Sequence, residues 1–541
     1  MKAALHDFYN HIAKKKSYWV PVLFFAIIAY AFAITNRTVS VDDLSGDIYW
    51  GSGHGMLAGA RWGMNLWVSV FSTAAFTPFL KKFMAVCFLI CGASVMACVG
   101  HVLLKRRNVW LYTVFSSAII TYPLIHEIYE YDAANMIVCG NLLLAAIAIL
   151  FQITCEGKVW KRTIIAALPL TAIISSYESG IFVYISAVLL YLFCKYVIQR
   201  EDAGKLQWLR EGIGFAIPLV LALLLRIIVG VFLIPLYGLK YAPNGETTLY
   251  WGTEPVLYTV FMLLRRIATN YILDGLVYFP ITVFLIAALL FLIGIFVLSI
   301  RQRRMLPLVL GFAFLASLFF LSILQGRAMP YRTAQTLCLL VAFVAAAAVE
   351  LGMSLNRRGV RLAVLAAGLL LCLHQGVYLH RMLALNNQRS DNEIAVVHQL
   401  GTRLKSEYED KTVVFVGTYD FGNWITSQVN VDTSTLGGGL YKKLWSRLNP
   451  DYTVENKKMA ETDVNSILNW NSSAFGNQLM MREYFSYCGY DIQTLDSIRG
   501  DNWNEYARLL QTAIDENMKP FEIRDIGDYI LVCLGELPSE D

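Results

Sequence analysis

Between Ser40 and Gly63 stand three carboxylates, Asp42, Asp43 and Asp47, followed by His54 and then Gly59-Ala-Arg61-Trp62-Gly63. Ionised groups this near an apolar segment are costly to keep beside a bilayer and tend to be functional. A carboxylate of suitable reach takes the proton from a sugar hydroxyl as a general base. The plainer role for Asp42 or Asp43 is to cap a short interfacial helix. A second acidic segment carries His126, Glu127, Glu130 and Asp132. On a helix Glu127 and Glu130 share a face, and with Asp132 they could hold a metal or orient a hydroxyl. Their spacing does not match the zinc pattern H-E-x-x-H, and a solvated loop is the alternative.

Arginine offers a planar fork of donors that suits phosphate. Arg327 and Arg332 bracket a short loop, Arg61 follows the acidic loop, and Arg226 lies inside the apolar run 221–233. An arginine at that depth is a site candidate unless it snorkels to the interface. Arg265 and Arg266 belong to an amphipathic stretch at 258–274 that suits a membrane surface and its anionic headgroups. Trp50, Trp62, Trp67, Tyr241, Tyr250 and Trp251 can stack on sugar faces, although aromatic rings populate membrane interfaces generally.

The elements that must position these groups are membrane helices. Of 541 residues, 57% are hydrophobic and 16% charged, against about 25% charged in soluble proteins. Mean hydropathy is +0.51. A soluble enzyme is excluded. About eleven apolar runs are long enough to cross a bilayer, at 18–36, 83–104, 109–125, 135–154, 163–178, 180–198, 212–236, 276–300, 305–325, 334–353 and 362–380. The pair 163–178 and 180–198 reads as two short helices or one re-entrant hairpin. With the N-terminus in the cytoplasm, the clusters Lys14–Lys16, Lys105–Arg107, Lys158–Arg162, Lys195–Arg200, Arg301–Arg304 and Arg357–Arg361 share that side, in accord with the positive-inside rule. The acidic loop and the C-terminal tail then face outward.

Charge divides the chain in the same place. Residues 382–541 carry −10 and residues 1–381 carry +15. The basic excess suits cytoplasmic loops and calls for no nucleic acid. The expected organisation is a multi-span domain over 1–381 and a periplasmic α/β domain over 382–541. In that tail, Thr412–Val416 and Tyr529–Leu534 are strand candidates, and 391–408 has helical apolar spacing. Cys488 and Cys533 can form a disulfide in an oxidising compartment. The other eight cysteines lie in or beside apolar runs, and no C-x-x-C occurs.

An enzyme working outside the cytoplasmic membrane has no supply of nucleotide-activated sugar. Its donor must arrive through the bilayer, as a polyprenyl-phosphate-linked sugar does. The loop with Asp42-Asp43 after one helix, the Gly59-Ala-Arg61-Trp62-Gly63 segment, the many helices and the outer tail together resemble the serotype-converting O-antigen glucosyltransferase family of bacteria. Ser176-Tyr177-Glu178-Ser179 and the Arg327–Arg332 loop add to the resemblance. Glutamine is common in that family where Glu178 stands here.

The resemblance implies a polytopic α-helical membrane protein of GT-C-like architecture, about eleven transmembrane helices with a small C-terminal α/β extracytoplasmic domain. It implies transfer of a hexose, glucose, from undecaprenyl phosphate to a periplasmic glycan such as O-antigen, at the bacterial inner membrane. Asp43 or Asp42 is then the base. Arg327, Arg332, Arg61 and Arg226 are candidates for the donor phosphate. Asp47, His54, Trp62, Glu127, Glu130, Asp132, Tyr177 and Glu178 are candidates for substrate contact. The expected partners are the polyprenyl-phosphate-linked sugar, the glycan acceptor and membrane lipids, without nucleic acid. No cofactor is expected, although metal dependence varies among GT-C enzymes. The alternatives are a flippase or transporter of lipid-linked sugars, or a GT-C enzyme acting on protein or lipid A.

Overall fold

The computed structural model describes residues 1–39, 57–71, 78–131, 134–200, 206–240, 249–273, 278–327, 333–408, 410–417, 439–440, 443–444, 447, 478–495, 501–535 and 537. Asp42, Asp43, Asp47, Trp50, His54, Asp132, Tyr241 and Arg332 lie outside them. The chain divides into two compact units. One comprises Met1–Thr35, Ser52–Met382 and Asp432–Asp451. The other comprises Asn36–Gly51, Leu383–Val431 and Tyr452–Asp541.

The first unit is helical. Its helices are α1 (Lys2–Phe8), α2 (Lys16–Thr35), α3 (Trp62–Phe71), α4 (Pro78–Leu104), α5 (Val109–Ile120), α6 (His126–Tyr129), α7 (Asn135–Thr154), α8 (Val159–Ser176) and α9 (Gly180–Phe193). There follow α10 (Gln207–Leu236), α11 (Val256–Ala268), α12 (Phe279–Gln302), α13 (Leu306–Ser317), α14 (Phe320–Gln325) and α15 (Leu337–Met353). The last, α16 (Arg358–Glu407), contributes to both units. Among the described residues, eight helices are long and apolar enough to span a membrane, and α13 and α15 are shorter apolar helices. The protein is therefore a multi-pass membrane protein.

Local chemistry sets many of the helix ends. Asn108 caps α5 by accepting a hydrogen bond from Trp110 N at 3.2 Å. Pro280 and Pro307 open α12 and α13, where a missing N–H costs nothing. Gly326, at φ 75°, closes α14 in the left-handed conformation. The bundle core joins α4 to α7, α5 to α15 and α2 to α5. Inside it the Tyr18 hydroxyl meets Ser94 Oγ at 3.0 Å and Ser116 Oγ at 2.9 Å, so these three hydroxyls satisfy one another within the apolar interior.

Two features differ from the sequence reading. The run 305–325 is broken at Leu318–Phe319 into α13 and α14. The last span and the amphipathic segment at 391–408 are one helix of 50 residues. No glycine or proline occurs between Val377 and Leu400 to interrupt it.

The second unit carries a three-stranded sheet of β1 (Thr412–Val416), β2 (Ile523–Asp525) and β3 (Tyr529–Cys533), in the order β1-β3-β2. β1 and β3 are parallel, with Thr412 opposite Tyr529, and β2 is antiparallel to β3. Alternation along the strands builds two cores. Val413, Phe415, Ile530 and Val532 face Val397, Leu400 and Leu404 of α16 and Phe485 of α17 (Gln478–Tyr487). Val414, Val416, Leu531 and Cys533 face Leu509 and Ala513 of α18 (Asp501–Asp515). Cys488 packs on the first core and Cys533 lies in the second. The sheet separates the two thiols, both are free, and the disulfide considered from sequence does not form.

Candidate functional site

α8 ends at Ser176, and Tyr177 turns the chain into extended backbone (φ −145°, ψ 105°). α9 restarts at Gly180. The two segments in question are thus two helices, and the break between them presents Glu178. Asn141 of α7 fixes that break by donating from Nδ2 to the Tyr177 carbonyl at 3.1 Å. A Cβ on Gly180 would sit 2.6 Å from the same Nδ2, so only glycine allows α9 to begin this close to α7. Gly63, at the head of α3, is equally constrained: a Cβ there would meet Ser176 Oγ at 2.6 Å.

Glu178 sits between two guanidinium groups. Arg61 places Nη2 at 3.1 Å and Nε at 3.2 Å from Oε2. Arg226 places Nη2 at 2.7 Å from Oε1. Arg226 Nε also donates to the Ala60 carbonyl at 3.4 Å, and Trp62 Nε1 donates to the Arg226 carbonyl at 3.4 Å. The Arg61 guanidinium lies 5.7 Å from the Tyr177 ring centre, within cation–π range. The side chains of Arg61, Glu178 and Arg226 are 14%, 26% and 20% exposed. They are therefore partly desolvated yet reachable. Two cations on one carboxylate leave a net positive charge. This arrangement can hold a phosphate.

Arg226 thus does not snorkel alone. Its charge, deep in α10, is compensated from the α8–α9 break, which removes much of the penalty of an isolated ion. The expected substrate-contact residues Trp62, Tyr177 and Glu178 converge with the phosphate candidates Arg61 and Arg226. That convergence was not legible from their sequence separation.

The second acidic segment forms a different group. His126, Glu127 and Glu130 are all buried, so the solvated-loop reading does not hold for them. Lys82 is fully buried as well, with Nζ 4.0 Å from Glu130 Oε2. The Tyr129 hydroxyl donates to the Lys82 carbonyl at 3.1 Å. Lys82 thus sets a cation beside Glu130 among buried groups, and Asp132, the third residue of the metal reading, lies outside the described residues.

Arg327 follows Gly326. Its Nη1 donates to the Tyr250 hydroxyl at 2.7 Å, and its guanidinium lies 4.6 Å above the Tyr250 ring centre. The Arg327 Nε is buried and makes no hydrogen bond among the described residues. A backbone bond from Tyr250 N to the Gln325 carbonyl at 2.9 Å ties the two loops together. Arg265 and Arg266 lie in the last turn of α11, whose exposed apolar residues include Leu257, Phe261 and Leu264.

Sequence reasoning missed Asn141 and the role of Lys82. The available signal for Asn141 was an amide inside an otherwise apolar span, which must find partners there.

The family model described as "Glucosyl transferase GtrII" matches residues 31–352. That range includes Arg61, Lys82, Glu130, Glu178, Arg226 and Arg327 and stops before α16. Among solved structures, the crystal structure of ArnT from Cupriavidus metallidurans bound to undecaprenyl phosphate is similar, with a TM-score of 0.38 and 12% identity. The similarity covers 75% of this chain and 84% of that one. No curated protein sequence matches.

Proposed function

The chain belongs to the GtrII glucosyl transferase family, and we propose that it moves glucose from a polyprenyl-phosphate carrier to a glycan such as O-antigen on the outer face of the bacterial inner membrane. In this reading the N-terminus is cytoplasmic and the C-terminal unit is periplasmic. The observation that carries the reading is the pair of guanidiniums, Arg61 and Arg226, held in one place by Glu178.

The chemistry is a displacement at the sugar C1. Asp43 or Asp42 takes the proton from the acceptor hydroxyl, whose oxygen attacks C1 as the bond from C1 to the phosphate oxygen breaks. The phosphodiester becomes a monoester and gains one negative charge. Arg61 and Arg226 stabilise that charge where it develops, and Glu178 keeps their forks aimed before substrate arrives. Arg327, and Arg332 beyond it, supply further cationic contact to the donor. Trp62 and Tyr177 line the sugar's approach.

The test uses the purified protein in nanodiscs with polyprenyl-phosphate glucose and an O-antigen acceptor, read by mass spectrometry. Asp43→Asn or Asp42→Asn abolishes transfer in protein that still inserts and folds. Arg226→Ala lowers turnover on the order of 100-fold. Full activity in both aspartate variants would remove the acidic loop from the reaction. Movement of intact lipid-linked sugar across the bilayer without transfer would make the protein a flippase.

A further inference from the structure

At the opposite end of α9 from Glu178, five helices leave a space between them. α4, α5, α9, α12 and α15 together wall a cavity of about 480 Å³, a size usual for small-molecule sites. We propose that it seats one anionic phospholipid, with an acyl chain inside and the phosphate on Arg106 and Arg200.

Small residues open the space. Ala97 and Gly100 of α4, Ala187 of α9, Gly294 of α12 and Ala346 and Ala347 of α15 line it. A glycine in a membrane helix often lets a neighbour pack close. Gly352 does so against Val364, where an added Cβ would sit 2.8 Å away. The glycines of the cavity do not. A Cβ on Gly294 would meet nothing within 4 Å, and one on Gly100 would come no nearer than 3.8 Å to the Tyr112 ring. Their missing side chains therefore leave volume rather than contact. Leu103, Leu111, Phe115, Leu190 and Phe343 add apolar wall. Ile198, Val297 and Leu351 belong to the lining and are exposed, so the cavity opens where lipid tails surround the bundle. A void in a packed interior forfeits dispersion contacts, and a hydrocarbon chain restores them.

The polar part of the lining is Arg106, Arg200, Gln302 and Glu350, all at or beside helix ends. The Arg106 carbonyl accepts hydrogen bonds from the Tyr112 hydroxyl at 3.1 Å and from His101 Nδ1 at 3.0 Å. Gln302 Nε2 donates to the Val197 carbonyl at 3.0 Å. The opening is thus braced on both sides. Glu350 Oε1 lies 3.6 Å from Arg106 Nε, and its Oε2 accepts from Asn108 Nδ2 at 2.8 Å. One carboxylate among two arginines, with Lys105 and Arg107 flanking Arg106, leaves the mouth net cationic. The Arg106 side chain is 62% exposed, so its guanidinium is open to a ligand. The arginine fork suits a phosphate diester, and basic pockets between membrane helices recognise anionic headgroups. A neutral lipid would fill the cavity and leave the arginines uncompensated. Free phosphate would do the reverse. An anionic phospholipid satisfies both, and the surrounding bilayer supplies it.

The inference stands apart from the glucosyl-transfer reading, because its readout is lipid retention. Delipidated full-length protein in a neutral detergent is titrated with phosphatidylglycerol and, separately, with phosphatidylcholine of the same chains. Native mass spectrometry counts the bound lipid. The expected result is one saturable phosphatidylglycerol, with phosphatidylcholine roughly 10-fold weaker. Arg106→Gln combined with Arg200→Gln removes that preference. Gly294→Leu fills the cavity and weakens both lipids on the order of 10-fold. Arg301→Gln combined with Arg304→Gln, at residues that do not line the cavity, changes neither. Equal affinity of the wild type for the two lipids overturns the proposal. So does wild-type retention in Gly294→Leu, which would reduce the arginines to a surface attraction. Displacement of phosphatidylglycerol by polyprenyl phosphate at equal concentration would also overturn it, by making the cavity part of the donor's path.

Discussion

Glu178 Oε1 lies 2.7 Å from Arg226 Nη2, so a carboxylate at the head of α9 compensates a guanidinium in the body of α10. Glu178→Gln keeps the shape of the side chain and removes its charge. Arg61 and Arg226 then repel each other across a partly buried gap. The variant should lose about 1–3 kcal/mol of stability, read by thermal unfolding in detergent. Glucosyl transfer should fall with it, and Arg226→Ala combined with Glu178→Gln should cost less stability than the sum of the two single changes.

Tyr250 holds Arg327 by a hydrogen bond and by its ring face. If Arg327 contacts the donor phosphate, Tyr250→Phe releases one charged hydrogen bond and raises the KM for donor about 10-fold, with kcat nearly unchanged. Tyr250→Ala also removes the stacking and raises KM further. A fall in kcat at unchanged KM would place Arg327 away from donor binding. Steady-state kinetics against polyprenyl-phosphate glucose decides between them.

The chain leading into the Asp42-Asp43 loop is pinned within the second unit. Val39 N donates to Ser390 Oγ at 3.0 Å, and Asn387 Nδ2 donates to the Arg37 carbonyl at 2.7 Å. Arg389, paired with Glu393, also donates to the Val39 carbonyl at 3.4 Å. Ser390→Ala leaves a buried N–H without its partner and should cost about 1–3 kcal/mol. If the aspartate pair is the base, kcat should fall more than KM rises, because Val39 precedes Asp42 by three residues. Equal effects on both constants would mean that the tether serves folding alone.

Cys488 and Cys533 lie on opposite sides of the β-sheet. Alkylation of unreduced, denatured protein should therefore label both as free thiols, and mass spectrometry of tail peptides should find no linked pair. In the folded protein, burial pushes the Cys488 thiol up to about 11. The thiolate is the reactive form, so iodoacetamide labelling of Cys488 should be slow at pH 8. It should accelerate with each pH unit until the thiol titrates near pH 11. Fast labelling at neutral pH would contradict the burial.

The sequence by itself determined the membrane-helical architecture, because crossing a bilayer demands long apolar runs and such runs are readable one at a time. It also determined two of the three described tail strands, β1 and β3, since apolar runs rich in β-branched residues such as Thr412–Val416 declare themselves locally, whereas the short β2 (Ile523–Asp525) carries no such run. The Gly59-Ala-Arg61-Trp62-Gly63 segment and Arg226 stood out because charge beside or inside an apolar run is costly. Only the tertiary structure decided which charges are partners. Arg61, Glu178 and Arg226 are distant in the chain, and nothing in their separate neighbourhoods encodes the pairing. The packing of α8 and α9 against α7, through Asn141 and Gly180, brings them together. The same holds for Lys82 with Glu130 and for His101 with Asp7. A helix shows its own periodicity in sequence, but the neighbour it packs against depends on the whole bundle.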